Sequence, residues 1–303
     1  MHIRAVLNRD GGTFSTMNLD RFTEEIVQAF TETGHCVAAR QVDGHEIEEA
    51  LRMACRDDGV DAVLVGGGDG TISLAAGLVA ESGKILAVLP AGTMNLFARS
   101  IAIPLDLEAA VTALANGHVR EVDIAHLNGR PFVHQFSIGM HPQLIRLRTQ
   151  MPFRGRLGKI AASARAAITT LLNPQNLRVS LTMGESELLA ETASISVTNN
   201  LYGEGHLPYT DNPDGGVLGI YITRARRRSD LIVHFLNMAI GRWRQNEQVE
   251  IHEAGEVRLR ILAPRRELKC SIDGELCPLD RDIHIRQHPR ALRVLVPTES
   301  QEG

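Results

Sequence analysis

Residues 61–71 read Asp-Ala-Val-Leu-Val-Gly-Gly-Gly-Asp-Gly-Thr, an apolar run that passes straight into a glycine-rich loop. A short apolar run bounded by a turn is the pattern of a strand buried on both faces. Gly66, Gly67, Gly68 and Gly70 carry no side chain to hold an anion away from the backbone, and the first N–H groups of a following helix would face it. These four glycines are therefore expected to supply the close approach to a phosphate. Asp69 places one carboxylate there, able to hold a metal ion or polarise a hydroxyl, and Thr71 is expected to cap the helix. The loop is not a Walker loop, because Gly83-Lys84 and Gly158-Lys159 are each followed by Ile rather than Ser or Thr. Nor do its glycines have the Gly-x-Gly-x-x-Gly spacing of a dinucleotide fingerprint.

Outward from this loop, the first 117 residues alternate strands and helices. Strands are expected at 3–8, 35–42, 61–65 and 85–89, and helices at 19–33, to about 58 from the opening made by an Asp43–Glu46 capping box, from Thr71, and after Asp106-Leu107-Glu108 to Gly117. This order predicts a parallel sheet with helices on both faces and ligands beyond the carboxyl ends of the strands, where Asn8, Gly66–Thr71 and Pro90–Asn95 lie. The pattern then changes. Residues 119–127 and 131–138 flank Asn128-Gly129, a hairpin signal, and further strands are expected at 177–183, 188–198, 217–223, 248–252, 257–262, 267–273 and 291–296. Helices are expected at 156–172 and from Ser229 to 241. The fold class is thus α/β, with a parallel-sheet nucleotide-binding domain over 1–122 and a β-sandwich domain over 123–303 whose last strand can return to the first.

A chain of 303 residues is long enough for two cores. A net charge of −4 argues against nucleic acid as a partner. Cys36, Cys55, Cys270 and Cys277 show no Cys-x-x-Cys spacing and suit free thiols in a reducing compartment. The twelve histidines include no His-Glu-x-x-His and are expected at the surface or in packing. The first residues read as a strand rather than a signal peptide, and no run approaches a membrane span, so a cytoplasmic protein with peripheral contact at the inner membrane face is expected.

Residues 89–99, Leu-Pro-Ala-Gly-Thr-Met-Asn-Leu-Phe-Ala-Arg, repeat the strand-into-loop form one βα unit later. Gly92 permits close approach, Thr93 offers a hydroxyl and an N–H, and Asn95 can read a ribose or phosphate, so this segment would face the first loop across a nucleotide cleft. The two loops together resemble those of the diacylglycerol kinase catalytic family, which includes bacterial lipid kinases and sphingosine kinases and is related to NAD kinases. Asn8 with Gly11 and Gly12, Val122-Asp123, Asp214-Gly215 and Ile272-Asp273-Gly274-Glu275 resemble further motifs of that family, so the likeness runs through nearly the whole chain. It implies transfer of the ATP γ-phosphate to a lipid hydroxyl, with ATP and Mg²⁺ required. The implied roles are Asn8, the Gly67–Ile72 loop, Gly92, Thr93 and Asn95 for nucleotide binding, Asp69 and Asp123 for the magnesium, and Glu275 as the base on the lipid hydroxyl. Asp211, Asp214 and Gly216 resemble a structural magnesium loop, for which a plain acidic turn is the equal alternative.

The chain departs from the family at Ser73-Leu74, where Asn-Glu is usual, at Leu96, where Asp is usual, and at Val42, where a hydroxyl residue is common. Two carboxylates are missing from the expected cleft, so the substrate differs, the metal network is simplified, or catalysis is weakened or lost. Basic clusters at Arg146, Arg148, Arg154, Arg156 and Lys159 and at Arg224, Arg226, Arg227 and Arg228 are either solvated surface or a contact for anionic lipid. The expected partner is a lipid at the membrane surface; a homodimer is compatible with the chain. Two rival readings stand beside the lipid kinase: a nucleotide binder with degraded catalysis, and a soluble kinase of the NAD type, whose usual acidic pair only Asn246-Glu247 could supply.

Overall fold

The computed structural model describes residues 1–150, 176–203, 207–224, 248–262 and 269–298. The expected helices at 156–172 and 229–241, the pair Asn246-Glu247, and the side chains of Arg148, Arg154, Arg156, Lys159 and Arg226–Arg228 lie outside them.

The first half begins with β1 (His2–Asn8), α1 (Leu19–Glu32), β2 (Cys36–Val42), α2 (Ile47–Arg56), β3 (Ala62–Gly67), α3 (Asp69–Ser82) and β4 (Ile85–Pro90). These strands run parallel in the order β2-β1-β3-β4. Every residue of β3 and β4 is buried, as a parallel sheet covered on both faces requires. In α1, Asn18 caps by accepting from the Arg21 N–H, and Phe22, Ile26 and Phe30 point into the core at helical spacing. The capping box at α2 forms by half: the Glu46 carboxylate accepts from the Asp43 N–H at 3.2 Å, while the Asp43 carboxylate turns to Arg9, 3.7 Å away. Two more helices, α4 (Leu96–Ser100) and α5 (Leu107–Ala115), complete this layer.

The chain then enters β5 (His118–Leu127), β6 (Arg130–Phe132) and β7 (Gln135–Gly139), followed by α6 (Met140–Gln150). The expected single strand at 131–138 is two strands in different sheets. Between them the N–H groups of Val133, His134 and Gln135 all turn onto the carboxylate of Asp273, at 2.8–2.9 Å. A buried acid some 140 residues away in sequence thus makes the corner. The remaining strands are β8 (Leu177–Met183), β9 (Ser186–Thr192), β10 (Ser194–Asn199), β11 (Leu218–Thr223), β12 (Val249–Ala254), β13 (Glu256–Ile261), β14 (Lys269–Ile272), β15 (Glu275–Pro278) and β16 (Asp282–Val296). The expected strand at 188–198 also divides. The Thr192 hydroxyl accepts from the Ser194 N–H and donates to the Thr223 carbonyl, which ends β9 and sends β10 into the other sheet.

Among the described residues the strands form two sheets. One runs β2-β1-β3-β4-β16-β13-β8-β9, with β5 on β16; the other runs β12-β11-β10-β7-β14-β15. Val179, Leu181, Leu259 and Ile285 from the first meet Phe136, Val197, Ile220 and Ile272 from the second in one core. The α/β core is separate, and the two divide on β5 between Ile124 and Ala125. Strand β16 belongs to both: Val257 to Arg260 of the sandwich pair with its first half, and Ile85 and Leu86 of the α/β sheet pair with its second. It has 15 residues, more than twice the length expected, because a bulge between His288 and Leu292 turns it without ending it. Among the described residues no helix is long and apolar enough to cross a membrane.

Candidate active site

Six glycines line a cleft of about 480 Å³ at the carboxyl ends of the parallel strands: Gly11, Gly12, Gly44, Gly68, Gly70 and Gly92. Gly68 is the N-cap of α3, and no side chain closes the helix start, so its first N–H groups stay open toward the cleft. A Cβ on Gly92 would lie 2.7 Å from the Cα of Gly68, so the two loops touch backbone to backbone. This is the shape and charge of an anion cradle.

The loop residues divide into those that face the cleft and those that build it. Gly68, Gly70, Thr71, Thr93 and Asn8 line it. Thr71 does not cap α3, because it lies inside the first turn; its Oγ1 accepts from the Asn8 amide at 3.1 Å. Gly67 lies beneath the cleft, where its carbonyl accepts from the Ala91 N–H, and a Cβ there would strike Thr71. Ile72 presents nothing to a ligand: its N–H donates to the Gly68 carbonyl and its side chain is in the core. Asn95 has φ 52°, and its side chain is spent on its own turn, accepting from the Gly92 N–H and donating to the Gly92 and Pro90 carbonyls. Asp69 braces the facing loop by accepting from the N–H groups of Asn95 at 3.0 Å and Leu96 at 2.6 Å.

Asp69 also lines a second cavity, of about 660 Å³, between the two cores. Its walls are mostly apolar, with Met94, Leu96, Phe97, Val133, Ile145 and Pro208. Its polar wall includes Gln135 and His141, members of a chain of side chains that the sequence reading missed. Tyr202 donates its hydroxyl proton to Gln135 Oε1, Gln135 Nε2 lies 3.2 Å from His141 Nδ1, and Ser137 Oγ lies 2.7 Å from the same nitrogen. With the Gln135 amide donating, His141 Nδ1 accepts, which leaves its proton on Nε2. Burial pulls the pKa of His134 and of His141 down to about 4, with the Asp69 carboxylate drawing His134 slightly the other way. Both rings are therefore neutral near pH 7, and they line a site rather than serving only as surface or packing. The one signal for them was the polar pair His134-Gln135 interrupting the run from Pro131 to Ile138.

The late Asp-Gly-Glu forms the two-residue turn between β14 and β15, with φ 45° at Asp273 and 87° at Gly274. Asp273 is buried and takes Ser73 Oγ at 2.5 Å besides the three N–H groups of the β6–β7 corner. Burial pushes its pKa up, and these hydrogen bonds oppose the rise. Ser73, one of the departures from the family pattern, thus ties α3 to the sandwich. Glu275 is on the cleft wall, its Oε1 3.1 Å from where a Gly70 Cβ would be, and it is held by Arg130 Nη2 at 3.1 Å. Arg130 is a second residue the sequence reading missed.

The expected metal ligands are not gathered. Asp123 is fully buried at the β16 bulge and lines neither cavity; its carboxylate accepts from the N–H groups of Gly216 and Arg290 and from Gln287 Nε2. Asp214 pairs with Arg120 at 2.7 Å, and Asp211 is on the same loop, with Gly216 at φ 75°. Among the described residues, no three His, Cys, Asp or Glu side chains converge where a metal could be held. Leu74 lines the cleft and Leu96 the cavity, where the family pattern would put acids. Of the first basic cluster Arg146 is described; of the second, Arg224 pairs with Glu250 at 2.5 Å.

Comparison with known proteins agrees with this architecture. Residues 2–127 match the diacylglycerol kinase catalytic domain, and residues 137–296 match the YegS C-terminal NAD kinase beta sandwich-like domain. The chain is 27% identical over 247 residues to "Putative lipid kinase SH2167" of Staphylococcus haemolyticus, covering 80% of this chain and 79% of that one. It is 30% identical over 165 residues to "Probable lipid kinase YegS-like" of Cronobacter sakazakii, covering 51% and 54%. A crystal structure of a diacylglycerol kinase from Bacillus anthracis superposes with a TM-score of 0.70 at 18% identity, covering 97% of this chain and 96% of that one, a likeness of fold. With both halves matched in order and the two-sheet architecture in place, the chain belongs to the family that joins a diacylglycerol kinase catalytic domain to a YegS-type β-sandwich domain.

Proposed function

We propose that this protein transfers the γ-phosphate of ATP to the hydroxyl of a lipid. The observation that carries the reading is the meeting of two unlike cavities at one loop: a glycine-lined, anion-accepting cleft and a larger apolar cavity, with Asp69 between them. The open N-terminus of α3 and the Gly68–Gly92 contact suit the nucleotide phosphates. The apolar cavity has the size usual for a small-molecule site and suits the part of a lipid nearest its head group. Phosphoryl transfer needs mainly positioning and charge neutralisation. Magnesium bound with the phosphates would supply part of that neutralisation, and because it keeps waters and takes one or two protein carboxylates, Asp69 is the residue that fits it. Glu275, exposed beside Gly70, accepts the proton of the lipid hydroxyl, and Arg130 orients it. The His141 Nε2–H is a fixed donor for an oxygen of the acceptor. A lipid acceptor requires peripheral contact with a membrane, near the exposed Met94 at the cavity wall.

The test is phosphorylation of lipids in vesicles by radiolabelled ATP, beside calorimetry of ATP binding. Glu275→Gln should keep ATP affinity and lose turnover by about 10²–10⁴, the usual share of a general base. Equal turnover in the variant would remove Glu275 from the chemistry. Leu74 and Leu96, apolar at positions facing the two cavities, favour one other reading: a nucleotide binder that has lost catalysis. ATP binding without phosphorylation of any lipid would support it, and Leu74→Glu with Leu96→Asp should then restore turnover.

A further inference from the structure

Cys270 and Cys277 stand directly opposite one another on β14 and β15, the hairpin that carries Glu275. Opposed residues of antiparallel strands project on the same face, with Cβ atoms about 4.5–5.5 Å apart. The Cys270 sulfur already leans over the partner strand, 3.3 Å from the Pro278 carbonyl oxygen and 3.6 Å from that of Cys277. The Cys277 sulfur is half-buried and accepts from Arg130 Nη1 at 3.0 Å, while Nη2 of the same guanidinium holds Glu275 at 3.1 Å. One arginine therefore spans a thiol and the residue assigned as base.

We propose that Cys270 and Cys277 are a reversible oxidation site, at which a peroxide joins them in a cross-strand disulfide and so loosens the hold of Arg130 on Glu275. Cys277, the more accessible sulfur and the one beside a cation, reacts first. Its sulfur attacks one peroxide oxygen, the O–O bond breaks, and water leaves with the thiol proton, giving a sulfenic acid. The Cys270 sulfur then attacks that of Cys277; the S–S bond forms, the S–O bond breaks, and the hydroxyl leaves as water with the Cys270 proton. Two thiols lose two electrons and hydrogen peroxide becomes two waters. Burial pushes the Cys270 thiol up to about 11, so it stays protonated and is not the sulfur that meets the peroxide first. A disulfide needs Cβ atoms about 3.8 Å apart, so closure draws the strands in by about 1 Å. The bond is correspondingly strained and readily reduced, as regulatory disulfides are. Once bonded to Cys270, the Cys277 sulfur leaves Nη1, and the guanidinium keeps Glu275 on one anchor.

The bond can be read without any activity. Reduced full-length protein is treated with hydrogen peroxide, alkylated and digested with trypsin. Cleavage after Lys269 and Arg281 leaves both cysteines on the peptide 270–281. The expected result is loss of two hydrogens and of both alkylation sites from that peptide, reversed by dithiothreitol. A peptide still alkylated at both cysteines, or a sulfinic acid at Cys277 with Cys270 still alkylated, overturns the proposal. The effect on turnover rests on the phosphoryl-transfer reading. Oxidation should lower lipid phosphorylation by about 10- to 100-fold, the cost of misplacing a reacting group by about 1 Å. Cys270→Val cannot form the bond, so in peroxide its Cys277 should stop at a sulfenic acid that dimedone traps, while Cys277→Ser, which lacks the first-reacting sulfur, should keep in peroxide the activity that it has without it. A disulfide that forms without changing turnover overturns the link to Glu275. A reduced protein with no kinase activity overturns the functional reading, while the peptide still decides the oxidation site.

Discussion

Gly92 has no room for a side chain. Its Cβ would meet the Gly68 backbone at 2.7 Å and Asn95 Oδ1 at 2.8 Å, so Gly92→Ala must part the two loops. We expect a loss of about 1–3 kcal/mol of stability, the usual cost of overpacking, and a fall of ATP affinity by more than about tenfold. Urea unfolding and calorimetry read these separately, and unchanged ATP affinity would place the nucleotide elsewhere. Ser73 gives a second prediction. Its hydroxyl is one of four donors on the buried Asp273 carboxylate, so Ser73→Ala should cost about 1–3 kcal/mol. No loss would mean that the other three donors suffice. Asp69 is also more than a loop residue. Because it holds the Asn95 and Leu96 amides, Asp69→Ala is expected to lower both turnover and the stability of the α4 turn, contrary to the small cost that a surface loop implies.

At the scale of elements, β16 decides how the halves join. Its bulge is set by Asp123, which gathers the Arg290 N–H, Gln287 Nε2 and the Gly216 N–H on one buried carboxylate. Asp123→Asn puts an NH₂ against these donors. We expect a loss of at least about 2 kcal/mol, the penalty for unpairing a buried polar group. The urea midpoint measures it, and it should drop equally with and without magnesium. Stabilisation by magnesium in the wild type that disappears in the variant would give Asp123 the metal role that its place at the bulge does not suggest. The β14–β15 hairpin is the other joining element. It carries Asp273 into the β6–β7 corner and Glu275 onto the cleft of the first domain, so its turn chemistry sets the position of the base.

For the whole molecule, sharing β5 and β16 between two cores predicts one cooperative unfolding transition rather than two. Thermal scans followed by far-ultraviolet circular dichroism and by calorimetry should coincide; two separated transitions would mean that the shared strands do not couple the halves. Stability should also fall in acid. His134 and His141 titrate near 4 in the folded protein and near 6.5 when unfolded, so between these values the unfolded chain binds more protons. Their contribution is whole above pH 6.5 and is lost as the pH falls toward 4, with a combined slope of at most about 2.7 kcal/mol per pH unit. Asp273, shifted upward, acts in the opposite sense as the pH falls through the range above its unfolded value of 3.8. Urea titrations at pH 7 and 5 should show the loss, and His141→Asn should reduce it; a slope unchanged in that variant would assign the acid sensitivity elsewhere.

The sequence by itself determined the parallel sheet, its two glycine loops and the sandwich, because these rest on short-range features: apolar runs, turn residues and glycines next to one another. From Gly66 to Thr71 and from Pro90 to Asn95, the chain carries its own backbone instructions. What only the tertiary structure decided are the groups that complete one another across long separations. Asp273 turns the corner at Val133–Gln135, Asp123 shapes the β16 bulge, and Arg130 reaches Glu275 and Cys277 together. No periodicity records such pairs. A buried polar group takes whatever partners the fold brings within reach: three donors made Asp123 a structural brace, and Gln135 and Ser137 fixed His141 at the cavity.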